Sequence, residues 1–261
     1  FPADNDMRPC WAYTTLAGLA LKYYQPHLGR DAASKSNPSP PAWSRWNLPH
    51  TSQAPSDHWT RISSTPLMQK QVSLVWLLNH GAIMTRTRLS HMSTDISPYC
   101  TICTATPEDL SHAFWTCRRV QLLWSKIANF LTYLTTSNTR ITLNLADIIT
   151  GIPRRHNDIP NIRAIHGLAT WEIYRARVEL SLDNIHNSGD AMFLRWRATL
   201  HSRIVQDLRY AYKVTRDPAV FHRRWLCVPN RWFHFDPGER PLSGTLTFNM
   251  DPQLIDGRTR Q

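Results

Sequence analysis

Residues 100–117 read CTICTATPEDLSHAFWTC. Cys100, Cys103, His112 and Cys117 stand in the spacing C-x2-C-x8-H-x4-C, three of the chain's five cysteines and one histidine within eighteen residues. Thiolate and imidazole in this mixture are the donors that a four-coordinate zinc ion selects. A Cys-x2-Cys pair bends the backbone until both sulfurs face one point, and His112 with Cys117 can close a tetrahedron from a following helical turn. With all four positions filled by protein, such a site holds structural zinc, because catalytic zinc keeps one position for water. Metal-assisted hydrolysis is therefore not expected. Thr106, Pro107, Glu108 and Asp109 have the order N-cap, proline at the first helical position, then two acids, which predicts a helix from Thr106 that carries His112. Val120, Leu123, Trp124, Ile127, Leu131 and Leu134 continue it as an apolar stripe at helical spacing.

On the N-terminal side, helical spacing begins at Thr65. Pro66 suits a first helical position, and Met68, Val72, Val75, Trp76 and Asn79 share a face before Gly81 ends the run. Thr85 reads as the N-cap of a short helix through Arg86, Arg88, Leu89 and Met92. Upstream, one amphipathic helix fits residues 13–24, and residues 31–57, rich in Pro and Ser, read as an extended arm. Trp43, Trp46 and Trp59 lie in or beside that arm and are expected to anchor it by packing. On the C-terminal side, residues 135–160 are turn-rich. Two further helices come next. The first, from Asn161 to about Leu182, buries Ile162, Ile165, Ala169, Ile173, Ala176 and Leu180. The second is capped by Asp190 and buries Phe193, Trp196, Leu200, Ile204, Leu208 and Ala211, with Arg195, Arg197, Arg203 and Arg209 facing away. Asp217 and Pro218 start a last short helix through Phe221 and Trp225. No alternation is long enough to predict a sheet. The expected fold is mainly α: an N-terminal helix and arm (1–62), a zinc-binding helical domain (63–135), an Arg-rich helical domain (136–235) and a tail (236–261).

Composition narrows the function classes. The formal charge is +11 and the isoelectric point near 9.9. Arginine supplies 25 of the 30 basic side chains. Planar guanidinium pairs bidentately with phosphate and stacks on bases, so an acidic partner such as nucleic acid is expected. Between residues 140 and 235, fifteen basic residues face eight carboxylates. Arg118 and Arg119, beside Cys117, together with Arg154, Arg155, Arg175 and Arg177, are the candidate phosphate contacts, and Phe114 and Trp115 are candidates for base stacking, Phe114 fitting a core position better. No apolar run spans a membrane. The odd, clustered cysteines do not form a disulfide framework, so a reducing nucleus or cytoplasm is expected. Cys10 and Cys227 are isolated and read as buried thiols, while His80 and His91 read as ordinary histidines rather than ligands. The chain opens on Phe1, which suggests a piece of a longer protein. No catalytic residue is assigned: the His-x-Glu signature of zinc deaminases is missing, no Tyr/Phe-x-Asp-Asp hairpin marks a polymerase, and no Pro-Asp step marks a nuclease.

Two stretches together resemble the reverse-transcriptase zinc-binding domain of non-LTR (LINE-like) retrotransposon proteins. One is the Cys-Cys-His-Cys cluster. The other is its approach, residues 76–89, WLLNHGAIMTRTRL, where Trp76, His80, Gly81, Thr85 and Leu89 match the family pattern. Residues 120–124 and 171–177 look like later family elements, so the resemblance runs over roughly residues 65–180. Arg118 departs from it, standing where a proline is common, as do Asn79 and Met84. The resemblance implies one structural zinc and a segment that positions template RNA or target DNA, with catalysis in upstream polymerase domains and no small-molecule substrate here. The alternative is a domesticated or degenerate zinc-helical module that binds protein.

Overall fold

The computed structural model describes residue 46 and residues 67–134, 140–151, 161–225, 233–236 and 245–248. Helix α1 (Gln69–Asn79) buries Gln71, Leu74, Val75, Leu78 and Asn79, an uninterrupted i, i+3, i+4, i+7, i+8 stripe. This face is rotated from the one expected: Met68 is 43% exposed, and Val72 and Trp76 are half-buried. Apolar residues stand on both sides of α1, and packing against the 162–183 helix selects the Leu74 and Leu78 side. Gly81, at φ 57°, ends it in a Schellman turn, with Gly81 N–H donating to Leu78 O and Ala82 N–H to Leu77 O. Helix α2 (Arg86–Ser90) starts after Thr85 as expected, but the Thr85 side chain does not cap it. Glu108 does, accepting from Arg86 N–H at 3.3 Å through its carboxylate and from Thr87 N–H through its carbonyl.

After the 100–117 stretch, α3 (Arg118–Leu134) buries every residue of the expected stripe, with Phe130 besides. The turn-rich segment contains a helix that periodicity missed, α4 (Leu145–Thr150). Six residues are too few to show a period, yet its signal is local: Asn144 and Asp147 form a reciprocal capping box at 3.0 Å each way. Helices α5 (Ile162–Asp183), α6 (Gly189–Tyr210) and α7 (Pro218–Trp225) bury the expected residues. Asp190 does not cap α6; Ser188 does, accepting from Ala191 N–H at 3.1 Å, and Asp190 pairs with Lys126 instead. A π-turn (Ala211–Thr215) joins α6 to α7. Strands β1 (Phe233–Asp236) and β2 (Thr245–Phe248) pair antiparallel, Phe233 opposite Phe248, where a tail without strands was expected. Four-residue strands are too short to alternate visibly.

Helix α6 packs on both α3 and α5, α1 lies on α5, and α4 touches α1, so both helical segments contribute to one apolar cluster. Trp46, from the arm, is buried in that cluster and bears out the packing role expected of it. Residues 13–24, Trp43, Trp59, Pro66 and the far tail lie outside the described residues. Three buried ring nitrogens are paired inside: Trp124 Nε1 donates to Phe114 O at 2.9 Å, Trp196 Nε1 to Ile165 O at 3.1 Å, and the His166 ring meets Ile148 O at 2.7 Å. The two helical segments are also joined by charge. Arg177 on α5 donates to Glu108 at 2.6 Å and to Met84 O, with Glu108 8% and Arg177 11% exposed at the side chain. Glu108→Ala would leave the Arg177 guanidinium buried without its acid, and breaking such a pair costs about 3–5 kcal/mol. The urea unfolding midpoint should fall accordingly, and more than in the double variant Glu108→Ala/Arg177→Met.

Candidate metal centre

Backbone pairing builds the first half of the centre. Tyr99 bridges Pro107, Cys100 N–H donates to Thr106 O at 2.9 Å, and Glu108 N–H donates to Pro98 O at 2.8 Å. Thr106 and Pro107 therefore belong to a small loop and not to a helix start. Within it Thr104 N–H returns to Cys100 O at 2.8 Å, Thr104 sits at φ 54°, and Ile102 N–H points at Cys100 Sγ at 3.4 Å. The helical cap lies three residues later than expected. Asp109 Oδ1 accepts from His112 N–H at 2.6 Å, which is the N-cap to N3 bond.

The second half is a π-turn, His112–Thr116, closed by Cys117 N–H donating to His112 O at 3.0 Å. Ligands five residues apart would diverge by more than a quarter turn on an α-helix. Widening the turn by one residue brings His112 and Cys117 to the same side, the recurrent use of π-turns at sites of function. Cys117 then stands at the start of α3, its carbonyl accepting from Val120 and Gln121 N–H groups, where the positive helix end favours a thiolate.

The donor atoms of Cys100, Cys103, His112 and Cys117 all lie within 4.8 Å of one another. Cys103 Sγ and Cys117 Sγ are 3.8 Å apart. A tetrahedron with Zn–S bonds of about 2.3 Å requires sulfurs about 3.8 Å apart. His112 presents the correct nitrogen. Its Nδ1 meets Thr116 Oγ1 at 3.1 Å, while Nε2 is buried with no hydrogen-bond partner. A ligating histidine has this arrangement, one nitrogen held by a neighbour and the other left for the metal. The cysteines hold acidic and basic extremes without a cation. The Cys117 hydrogen bond, assisted by backbone N–H groups of Cys103 and Ile102, draws Cys100 down to about 4, against the opposing effect of burial. The same bond, burial and the neighbouring sulfur charges push Cys117 far up. A dication removes that conflict, since all three sulfurs can then be thiolates. The residues fit one structural zinc, which when bound would cross-link loop, π-turn and α3.

Residues 42–124 match the family model for zinc-binding in reverse transcriptase. This segment is similar to the zinc-binding domain of reverse transcriptases. The match covers less than half of the chain, starts upstream of the expected residue 65 and stops at Trp124, so α5 to α7 lie beyond it. Curated proteins gave no match to the chain, and neither did solved structures.

Around the domain's centre, Phe114 is fully buried, as its core reading required, and Trp115 is half-buried. The His80 ring lies 4.1 Å from that of Trp76, tilted 43° to it, His91 is exposed, and neither belongs to the ligand group. Cys10, Cys227, Arg154 and Arg155 lie outside the described residues. Arg118 is exposed. Arg119 is 7% exposed, and its Nε and Nη1 have no hydrogen-bond partner. Arg175 sits on Glu172 and Glu179, both at 3.3 Å, and Arg177 on Glu108, so these two guanidinium groups already hold carboxylates. Sequence reading took Glu108 and Asp109 only as first-turn acids of a helix from Thr106 and did not single out Thr116. Only the Asp109 to His112 spacing was a visible signal, and the proline placed the cap elsewhere.

Purified protein should carry one equivalent of zinc by elemental analysis, and Cys103→Ser should lose it. Thr116→Val should weaken zinc affinity about tenfold while Thr116→Ser preserves it, measured by chelator competition.

Proposed function

We propose that this chain is a nucleic-acid-binding segment of a reverse-transcriptase protein. In this reading the zinc domain is a staple, and basic surfaces on the helices it fixes position template RNA or target DNA for a polymerase active site located elsewhere in the parent protein. The observation that carries the reading is the pairing of a reverse-transcriptase zinc-binding domain with a net charge of +11 in one chain. Part of the basic excess faces outward: the buried acids Glu108, Glu172 and Asp207 each hold an arginine, while Arg118, Arg209, Lys213 and Arg216 face solvent. Phosphate neutralisation releases condensed counterions, so affinity for a short RNA or DNA oligonucleotide should fall linearly in a plot of log affinity against log salt. A flat dependence would exclude phosphate contacts as the source of binding, and would favour a protein partner.

A further inference from the structure

Helix α5 lies beyond the segment matched by the family model, yet one of its side chains reaches both halves of the metal centre. Arg177 Nη2 donates to Glu108 Oε1 at 2.6 Å. Glu108 follows directly on the loop that carries Cys100 and Cys103, and its own N–H donates to Pro98 O at 2.8 Å. The Arg177 guanidinium also lies over the ring of Phe114, 5.8 Å from its centroid. Phe114 stands in the middle of the π-turn, between His112 and Cys117. A third contact, from Nη2 to Met84 O at 3.3 Å, ties the same guanidinium to the segment leading into α2.

A second residue of α5 reaches the π-turn at one remove. His166 precedes Arg177 by eleven residues, three turns, and so shares its face of the helix. Its ring lies 5.8 Å from that of Trp124 with the planes 22° apart, and Trp124 Nε1 donates to Phe114 O at 2.9 Å. Phe114 is thus held at its ring by Arg177 and at its carbonyl by Trp124. Docking α5 does not require the Arg177 contacts, since Ile165, Ala169, Ile173 and Ala176 bury its apolar stripe fully. Nor are they what an α5 arginine does by default. Arg175, two residues earlier, pairs with Glu172 and Glu179 of its own helix. Arg177 turns to the metal centre instead, where a buried ion pair is weak as a source of stability but strict in geometry.

We infer that Arg177 is a positioning residue of the metal centre: through Glu108 and Phe114 it fixes the loop that carries Cys100 and Cys103 against the turn that carries His112 and Cys117. Four donors converge only if these two halves keep their relative placement. Order supplied by α5 is order that metal binding need not supply, so it appears as zinc affinity. Coupling of this kind is reciprocal, and zinc in turn seats the Arg177 end of α5 on the loop and the π-turn. The inference rests on the zinc reading of the centre and is independent of nucleic-acid binding.

The test uses the full chain, with zinc affinity measured by chelator competition and the urea midpoint measured on the same samples. Arg177→Met should weaken zinc binding about tenfold. Arg175→Met removes comparable ion pairs from the same helix, and should lower the midpoint while leaving zinc affinity unchanged. Phe114→Leu keeps its position apolar and removes the ring. Its effect on zinc affinity should be less than additive with that of Arg177→Met, as for side chains acting through one contact. Hydrogen exchange on the wild type reads the reciprocal effect without any substitution, and stays decisive if Arg177→Met fails to fold. Zinc loading should slow exchange in the turn of α5 around Arg177 as well as in residues 100–117. Unchanged zinc affinity in Arg177→Met, or an equal loss in Arg175→Met, would overturn the inference, as would zinc-induced protection confined to residues 100–117. A wild-type protein that binds no zinc would overturn the zinc reading itself.

Discussion

Three sulfurs and an imidazole nitrogen gathered within 4.8 Å, two of the three cysteines buried, form an arrangement that a polypeptide does not hold comfortably by itself. Thiols so close compete for protons, and thiolates so close repel. Bound zinc would turn that repulsion into cross-links among three segments: the Tyr99 to Pro107 loop, the π-turn and the start of α3. The loop is short and polar, and the π-turn is a geometry that few sequences adopt without cause. The remainder of α3 is different in kind. From Val120 onward its stripe is apolar and buried against α6, so the centre fixes where the core begins.

Charge is arranged in the same hierarchical way. Glu108 belongs to the zinc loop, yet it caps α2 and binds Arg177 of α5. One carboxylate therefore links three elements. Glu172 lies deeper. Burial raises its pKa, opposed by Arg175 and Arg195, and it holds those two guanidinium groups between α5 and α6. An arginine-rich composition consequently has two meanings in this protein. Part of it is structural, five arginines held by the four carboxylates Glu108, Glu172, Glu179 and Asp207, and another part, including the exposed Arg209, has no internal acid to hold it.

Long periodic elements were legible residue by residue. On α3, α5 and α6 each expected core position is buried, because the stripes extend over four or more turns and only one rotation satisfies them. Shorter elements were not. On α1 apolar side chains stand on two faces, so the choice between Trp76 and Leu74 depended on α5. At Thr106-Pro107 the residue types suited a helix start, and strand-like pairing with Tyr99 used them otherwise. Helix α4 and the β1–β2 pair are too brief to show a period.

The candidate site divides along the same line. Sequence alone determined the ligand set, because zinc accepts few donor types and Cys100, Cys103, His112 and Cys117 are the soft donors clustered at a workable spacing. It also determined the basic character of the chain and its long helices. Tertiary structure decided which His112 nitrogen faces the metal position, through Thr116, and how a five-residue step can place two ligands together, through the π-turn. It decided as well which arginines are used internally. Partners such as Glu108 and Arg177 lie 69 residues apart. Charge neutralisation depends on distance in space, and no local pattern in the chain records it.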